Sequence, residues 1–363
     1  MQMTFRWYGE KLDSIPLRFV KQIPGVTGLV WALHDAQAGD YWSPERIEKE
    51  MNAIKKAGFN GDVVESVNVH EDIKLGLPSR EKYIENYKNT IRNLGKAGVK
   101  VICYNFMPVF DWTRTDLYHQ LPDGSNALFY EKSKVESIDP FEFMENMKKQ
   151  KGLTGMPGWE PERLAKLAQL FESYKGFTKD DLWANLKYFL NAIIPVAEES
   201  GIKMAIHPDD PAWEIFGLPR LIISKENIAK FLKLVNSPAN GLTLCTGSLG
   251  SSDKNDMPDI IRTFIDKIYF AHIRNVLRFP NGDFTESSHR ACDGSLDIVE
   301  IVKAYNDAGF KYYCRPDHGR HIWDEEKQPG LHPGYGLYDR ALGIMYLWGV
   351  WDALEKAKRR KQC

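Results

Sequence analysis

The sequence predicts an α/β fold in which eight parallel strands, each followed by a helix, close into a (β/α)8 TIM barrel. The first observation is a repeating pattern: short apolar runs rich in β-branched and aromatic residues recur along the 363 residues of the chain, and most precede a segment with helical periodicity. The second is their number, since eight such units fit a barrel better than an open sheet. The third is that no Gly-rich dinucleotide fingerprint follows any predicted strand, which disfavours the alternative of a doubly wound sheet.

Four strand–helix units are predicted in the first half of the chain. Their strands are expected at residues 3–9, 27–35, 59–67 and 99–110. The helix after the second strand has a marked start and end, because "SPERIEKEMNAIKKAG" opens with serine, proline and glutamate and closes with glycine. After the fourth strand a long segment, about residues 112–178, interrupts the alternation of predicted strands and helices. We interpret it as a helical insertion over the mouth of the barrel.

The second half of the chain repeats the pattern. An amphipathic helix is expected over residues 180–201. The remaining strands are expected at residues 202–210, 241–250, 267–275 and 310–319. A closing helix is expected around "YDRALGIMYLWGVWDALEKAKR". Because no linker is detectable between the units, residues 1–363 are predicted to form a single barrel domain.

Composition excludes several classes of function. Hydrophobic residues make up 43% of the chain and charged residues 27%, as in globular proteins, and the net charge of −1 gives no basic footprint for nucleic acid or anionic membrane. The start, "MQMTFRWYGEKLD", lacks the pattern of a signal peptide, and no run approaches the roughly 20 apolar residues of a membrane span. Five scattered cysteines do not form a disulfide framework. We therefore expect a cytoplasmic protein with no nucleic-acid or membrane partner.

Four potential metal ligands lie at the ends of the last four predicted strands. They are His207, Cys245, His272 and Asp317. Active sites of (β/α)8 barrels form at the carboxyl ends of the strands, so these side chains should converge on one rim. Imidazole, thiolate and carboxylate are ordinary ligands of a divalent transition metal, and manganese, iron(II) or zinc suits the set better than magnesium or calcium. Each residue alone has a structural alternative, such as a buried core cysteine, and the prediction depends on all four occurring at matching positions.

Further polar groups are predicted at the same rim. His318 directly follows Asp317, and Tyr335 lies on a Gly-flanked loop after the eighth strand. The candidates for contacting a substrate follow other strands or lie in their loops: Arg6, His34, Asn105, Arg274, Arg290 and Arg320. An arginine fork can grip a carboxylate in two places, although about half of these arginines are expected to be plain surface charges.

Several longer blocks of the sequence are distinctive, namely "FRWYG", "QIPGVTGLVWALHD", "YNFMPVFDWTRTDL", "HPDDP", "HIRNV", "RPDHGR" and "HPGYG". Together and in this order, from about residue 4 to residue 350, they resemble the mannonate dehydratase family. The resemblance implies a xylose-isomerase-like barrel that removes water from D-mannonate to give 2-keto-3-deoxy-D-gluconate, with Mn²⁺ or Fe²⁺, as a hydro-lyase of class EC 4.2.1.8. It also implies that the four candidate ligands hold the metal and that His318 and Tyr335 transfer protons.

The implied reaction needs groups of these kinds. Dehydrating an aldonate removes the C2 proton beside a carboxylate and expels hydroxide from C3. A divalent metal and arginines stabilise the enediolate that forms, and an acid must protonate the departing hydroxide. The sequence leaves open which of His318 and Tyr335 is the acid and which the base. A tyrosine base would need a pKa lowered from its ordinary value of about 10.

Three other functions remain open at this point. A metal-dependent sugar isomerase on the same kind of barrel would favour several carboxylates and a lysine around two metals. A phosphodiesterase or DNA-repair nuclease would favour a basic surface. A catalytically inactive sugar-acid-binding protein would have lost rim ligands, whereas all four are present. Barrel enzymes of this kind often self-associate, so we expect a homo-oligomer, in the first instance a dimer.

Overall fold

A closed barrel of eight parallel strands forms the centre of the molecule, for which the computed structural model describes residues 1–137, 139–149 and 167–362. In chain order the barrel strands are Gln2–Arg6, Val26–Trp31, Asn60–Glu65, Val101–Tyr104, Lys203–Ile206, Asn240–Cys245, Ile268–His272 and Tyr313–Arg315. The first strand pairs with both the second and the eighth, with Thr4 beside Gly28 and Met3 beside Cys314. The predicted barrel is confirmed, and the open sheet is excluded.

Each predicted run overlaps one barrel strand, and all eight strands are shorter than their runs. The fifth strand ends at Ile206 and the eighth at Arg315, several residues before the ends of their runs. The polar residues that follow, His207 and Asp317 among them, therefore lie at the start of the loops. This is the rim at which active sites of such barrels form.

Helices alternate with the barrel strands along the chain. The α-helices are Leu17–Val20, Pro44–Lys56, Glu71–Leu75, Arg80–Ala97, Lys132–Glu136, Pro140–Lys148, Leu167–Ser173, Lys179–Glu199, Lys225–Leu234, Thr246–Leu249, Met257–Phe264, Ile298–Asp307 and Leu337–Gln362, and the 3-10 helices are Ile265–Lys267, Ala291–Asp293 and Glu325–Lys327. Local sequence explains two of the starts: Pro44 occupies the first turn of its helix, and Thr178 forms a capping box with Asp181. None of the described helices is long and apolar enough to cross a membrane.

Two apolar clusters stabilise the barrel. The smaller consists of residues from the barrel strands alone: Val30, Val63, Val101, Cys103, Ala205, Tyr269, Phe270 and Tyr313. The larger joins the other face of the strands, for example Ile102, to helix residues such as Ile91 and Ile193. Cys314 belongs to the larger cluster and is fully buried, as expected for a core residue.

A second, antiparallel sheet is built from the loops. Its strands pair in the order Val276–Arg278, Phe284–Glu286, Asn126–Tyr130 and Arg320–His321, and Asp116–Gln120 also pairs with Asn126–Tyr130. We call it the loop sheet. It joins the segment after the fourth barrel strand to the loops after the seventh and eighth. That the chain forms a single domain stays a prediction.

The insertion predicted at about residues 112–178 is only partly helical. Among its described residues it contains the helices Lys132–Glu136, Pro140–Lys148 and Leu167–Ser173, but it begins with the hairpin formed by Asp116–Gln120 and Asn126–Tyr130. The sequence signals the turn of this hairpin with "PDG". Its strands are too short to show a clear alternation, and they pair with loops far along the chain, so no local pattern predicts them. Residues 138 and 150–166 of the predicted insertion lie outside the described residues.

Candidate active site

A cavity lies at the carboxyl ends of the barrel strands. Its lining includes Arg6, Tyr8, Asn105, His207, His318 and Tyr335. The first, fourth, fifth and eighth strand–loop junctions therefore contribute side chains to one space. Charged and hydrogen-bonding groups dominate this list, which is typical of a site for a polar substrate.

The structure brings His207, Cys245, His272 and Asp317 together. One potential ligand atom from each side chain lies within 4.8 Å of those of the others. Strand register explains the meeting, because Cys245 is paired with His272, and His272 is paired with the residue two positions before Asp317. His207 is the first residue after the fifth strand. Cys245 Sγ lies 3.4 Å from Asp317 Oδ2.

This donor set fits a divalent transition metal. His272 is fully buried, and within the described part of the chain its Nδ1 has no hydrogen-bond partner, whereas buried polar atoms are normally paired. That nitrogen lies 3.8 Å from Asp317 Oδ2. His207 Nδ1 lies 2.7 Å from the carbonyl oxygen of Pro208, and donating a hydrogen bond there leaves Nε2 free to bind a metal. Two imidazoles, a thiol and a carboxylate are ligands that such metals accept.

The charges around Asp317 keep its carboxyl ionised. Burial alone raises the pKa of this group, but the surrounding charges, led by His318 and Arg315, together outweigh burial and hold the pKa well below its ordinary value. Arg315 Nη1 lies 2.8 Å from Asp317 Oδ1, and Arg315 Nη2 lies 3.0 Å from Glu65 Oε1. The carboxylate is thus an anion that already has cationic partners on one side.

His318 and Tyr335 face each other across the cavity lining, with ring centroids 5.7 Å apart. Burial first, and then the neighbouring Tyr8 and Asp317, raise the pKa of Tyr335 well above its ordinary value of about 10. Tyr335 therefore carries its proton at neutral pH.

Two of the six predicted substrate-contacting residues line the cavity. They are Arg6 and Asn105. His34 lies one side chain further away: its ring packs on that of Tyr8 with the centroids 4.9 Å apart, and Tyr8 lines the cavity. His34 is thus placed to support the wall of the cavity.

The three other predicted residues, all arginines, are engaged elsewhere. Arg274 is 1% exposed, contacts His318 and lies 2.7 Å from Asp210 Oδ2. The side chain of Arg290 is 68% exposed to solvent. Arg320 pairs with Asp339 at 2.9 Å. The structure does not bring the side chains of these three arginines into the lining of the cavity.

A group of buried ions beside His318 was not predicted from the sequence. Arg114 Nη1 lies 2.7 Å from Asp210 Oδ1, and Arg114 Nη2 lies 2.8 Å from Glu286 Oε1. Asp210 was visible only as part of the block "HPDDP". Arg114 likewise occurs only within the block "YNFMPVFDWTRTDL", and Glu286 has no local signal, because its segment meets that of Arg114 through the loop sheet.

Comparison with known proteins gives a consistent result over the whole chain. A family model described as D-mannonate dehydratase (UxuA) matches residues 1–361. A mannonate dehydratase of Endomicrobium trichonymphae is 68% identical over 362 residues, which cover 100% of this chain and 98% of that relative. The crystal structure of mannonate dehydratase from Streptococcus suis serotype 2 has a TM-score of 0.88 at 44% identity and covers 99% of this chain and 96% of its own.

A more distant structure bears on the fold alone. It is a xylose isomerase-like TIM barrel protein from Mycobacterium smegmatis, in complex with magnesium, with a TM-score of 0.52 at 15% identity. The match covers 95% of this chain and 92% of that one. The predicted xylose-isomerase-like barrel is therefore confirmed.

Proposed function

The chain belongs to the D-mannonate dehydratase family, hydro-lyases of class EC 4.2.1.8, and we propose that the cavity at the carboxyl ends of the barrel strands is where it dehydrates D-mannonate. The observation that carries this proposal is the convergence of four potential metal ligands beside His318 and Tyr335. The isomerase, the nuclease and the inactive binding protein have no comparable support.

His207, Cys245, His272 and Asp317 would hold a divalent metal, for which we propose Mn²⁺ or Fe²⁺. When bound, such a metal polarises the substrate and offsets the negative charge that develops as the C2 proton leaves. The donor set and the unpartnered, buried His272 Nδ1 support this assignment. Because Cys245 can serve as a ligand only in its reduced form, we place the chain in the cytoplasm, where thiols are kept reduced.

His318 takes the C2 proton in this proposal, and Tyr335 protonates the departing C3 hydroxyl. Tyr335 starts with its proton because its pKa is raised. His318 Nδ1 lies 3.1 Å from Glu286 Oε1, so Nε2 is the nitrogen that can accept a proton. A positioned acid or base typically contributes about 10²–10⁴ in rate.

Arg6 and Asn105 bind the sugar acid from the cavity wall. The ion pair between Arg6 and Glu65 Oε2 is long, at 3.9 Å, so the charge of the guanidinium is only partly compensated and suits a substrate carboxylate. His34 supports this wall by packing on Tyr8. Arg274 affects the reaction only through its contact with His318. Direct substrate contacts from Arg290 and Arg320 are not part of the proposal, because the first is exposed and the second is paired with Asp339.

Two substitutions test the ligand and proton-transfer assignments. Cys245→Ser should lose both bound metal and turnover of D-mannonate, because a hydroxyl is a poor replacement for a thiolate ligand. His318→Asn should keep the metal and lose at least about 10²-fold in turnover, since it removes only the base. Metal content is measured by inductively coupled plasma mass spectrometry and turnover by release of the 2-keto-3-deoxy product.

The exposed thiol of Cys292 offers a control, and Cys292→Ser should retain metal and turnover. Full metal and full turnover in Cys245→Ser would contradict the ligand assignment. Loss of metal in His318→Asn would contradict a role confined to proton transfer.

We also propose that the chain forms a homodimer. Leu342 is 50% exposed and Met345 is 44% exposed, and the two lie three residues apart on the helix Leu337–Gln362. Residues with this spacing share one face of a helix, so they form an apolar pair at the surface that a second chain can cover.

A further inference from the structure

A buried carboxylate contacts the proposed base. Glu286 ends the strand Phe284–Glu286 of the loop sheet and is fully buried. Its Oε1 lies 3.1 Å from His318 Nδ1 and 2.8 Å from Arg114 Nη2. Arg274 Nη1 lies 3.4 Å from the same oxygen. Nothing in the reaction described above uses this carboxylate directly, and it does not belong to the four-ligand group.

The contacts of His318 specify one tautomer of its ring. An ionised carboxylate only accepts hydrogen bonds, so Nδ1 must carry the hydrogen that Glu286 receives. A guanidinium only donates hydrogen bonds. Arg274 Nη1 contacts His318 Nε2, whereas its distance to His318 Nδ1 is 3.2 Å, so Nε2 is the nearer nitrogen. Nε2 must therefore present its lone pair. Glu286, which accepts, and Arg274, which donates, thus both require the Nδ1–H form of His318. In this form Nε2 is the nitrogen able to accept a proton.

The surrounding ions hold the Glu286 carboxylate in place. Arg114 and Arg274 are the cations of this buried cluster, and Asp210 and Glu286 are its anions; each of the four side chains is at most 2% exposed. Because each carboxylate has arginine partners, it can stay ionised out of contact with water. The backbone of the strand is fixed as well, since Phe284 is paired with Tyr130.

We propose that Glu286 is a positioning residue, which holds His318 in the Nδ1–H tautomer and so keeps the basic lone pair on Nε2. This inference rests on the proposed role of His318 as the base. Carboxylates that orient a metal-bound histidine are typically worth about 10–100-fold in activity, and we expect a comparable effect on a histidine that acts as a base.

The kinetic test is Glu286→Gln, which keeps the shape of the side chain and removes its charge. The amide can turn its NH₂ group toward Nδ1, which would favour the wrong tautomer. We expect kcat to fall about 10–100-fold while KM changes less than about threefold and bound metal stays constant. Glu286→Asp retains a carboxylate and should recover part of the lost kcat.

A matched control distinguishes positioning from a general loss of buried charge. Asp209 is 3% exposed and pairs with Arg220 at 3.4 Å, so Asp209→Asn also neutralises a buried carboxylate of an ion pair. It should lower the melting temperature in the same way as Glu286→Gln and leave kcat within about threefold of the parent. A kcat for Glu286→Gln within that same range, or a joint loss of kcat and metal, would overturn the proposal.

A direct measurement of the tautomer completes the test. In protein labelled with ¹⁵N-histidine and loaded with diamagnetic Zn²⁺, two-bond ¹H–¹⁵N spectra distinguish Nδ1–H from Nε2–H, and His318→Asn assigns the signal. The parent should show the Nδ1–H form, and Glu286→Gln should shift it toward Nε2–H. An unchanged tautomer would refute the positioning role even if His318 is the base. If His318→Asn retains full turnover while Glu286→Gln shifts the tautomer as expected, His318 is not the base. Glu286 would then still determine the tautomer of His318.

Discussion

His321 illustrates how a residue outside the cavity supports one that lines it. It is 1% exposed, its Nε2 accepts a hydrogen bond from the Gly334 N–H at 3.0 Å, and its Nδ1 lies 3.1 Å from Asn126 Oδ1. These contacts suit a neutral ring that donates from Nδ1. Burial is the main cause that lowers the pKa of His321 to about 4. The neutral imidazole thereby fixes Gly334, the residue before Tyr335.

The folded state should lose stability as the pH falls from about 6.5 toward 4. His321 takes up its proton near pH 6.5 when the chain is unfolded and only near pH 4 when it is folded, so acid favours the unfolded state within this window. The stabilisation that the neutral His321 gives is fully present above about pH 6.5, the pKa of the group in the unfolded chain. It amounts to at most about 3 kcal/mol. Urea denaturation at pH 7.5 and pH 5 measures it.

His321→Gln should weaken this pH dependence. The matched control is His119→Gln, because the side chain of His119 is 40% exposed and its ring stays solvated. If His321→Gln and the parent lose the same free energy of unfolding between the two pH values, another group is responsible.

At the scale of elements, the loop that carries Tyr335 depends on a glycine. Gly334 has a φ of 76°, and a Cβ at this position would lie 2.9 Å from the Cβ of His318. Glycine adopts this left-handed backbone without the steric cost that other residues meet. The same glycine therefore sets the approach of the Tyr335 loop to the eighth-strand loop that carries His318.

Gly334→Ala should lower both stability and activity. The backbone alone costs about 1–2 kcal/mol, and the added methyl group must also push His318 away from its position. We expect kcat to fall at least about tenfold, because displacement of a catalytic group by roughly 1 Å has a large effect on rate. Thermal denaturation and steady-state kinetics measure the two effects.

Gly309→Ala is the control for this variant. Gly309 has a φ of 65°, and a Cβ there meets nothing within 4 Å. It should show the loss of stability due to the backbone and retain its kcat. Equal losses of activity in both variants would show that contact with His318 is not the cause.

The sequence predicts those parts of the site that depend on barrel strands. Cys245 and His272 end neighbouring parallel strands, and residues at matching positions of such strands must meet. Glu286 and Arg114 were not predicted, because their contact depends on pairing between loop strands that are distant in the chain. Arg274 and Arg290 show a further difficulty: they are near each other in sequence, yet one is buried against His318 and the other is exposed. Residue type alone does not determine which way a loop side chain turns.

At the scale of the whole molecule, the exposed pair on the closing helix predicts a dimer. Sedimentation velocity at micromolar concentration should show a species with twice the mass of one chain. Changing both Leu342 and Met345 to Glu should yield a single chain, because like charges then face each other across the interface. Leu77→Glu is the control, since Leu77 is 41% exposed and lies elsewhere in the chain, before the helix Arg80–Ala97. A parent protein that sediments as one chain would contradict the proposal.

The loop sheet has a consequence for exchanging parts between related barrels. Segments from the insertion and from the loops after the seventh and eighth strands are hydrogen-bonded to one another in it, and Arg114, Glu286 and His318 come from those three segments. A loop transplanted alone would leave a buried charge without its counterion and a strand without its neighbour. The unit of redesign is therefore the three segments taken together, transferred to a barrel that keeps Asp210 and the four candidate metal ligands.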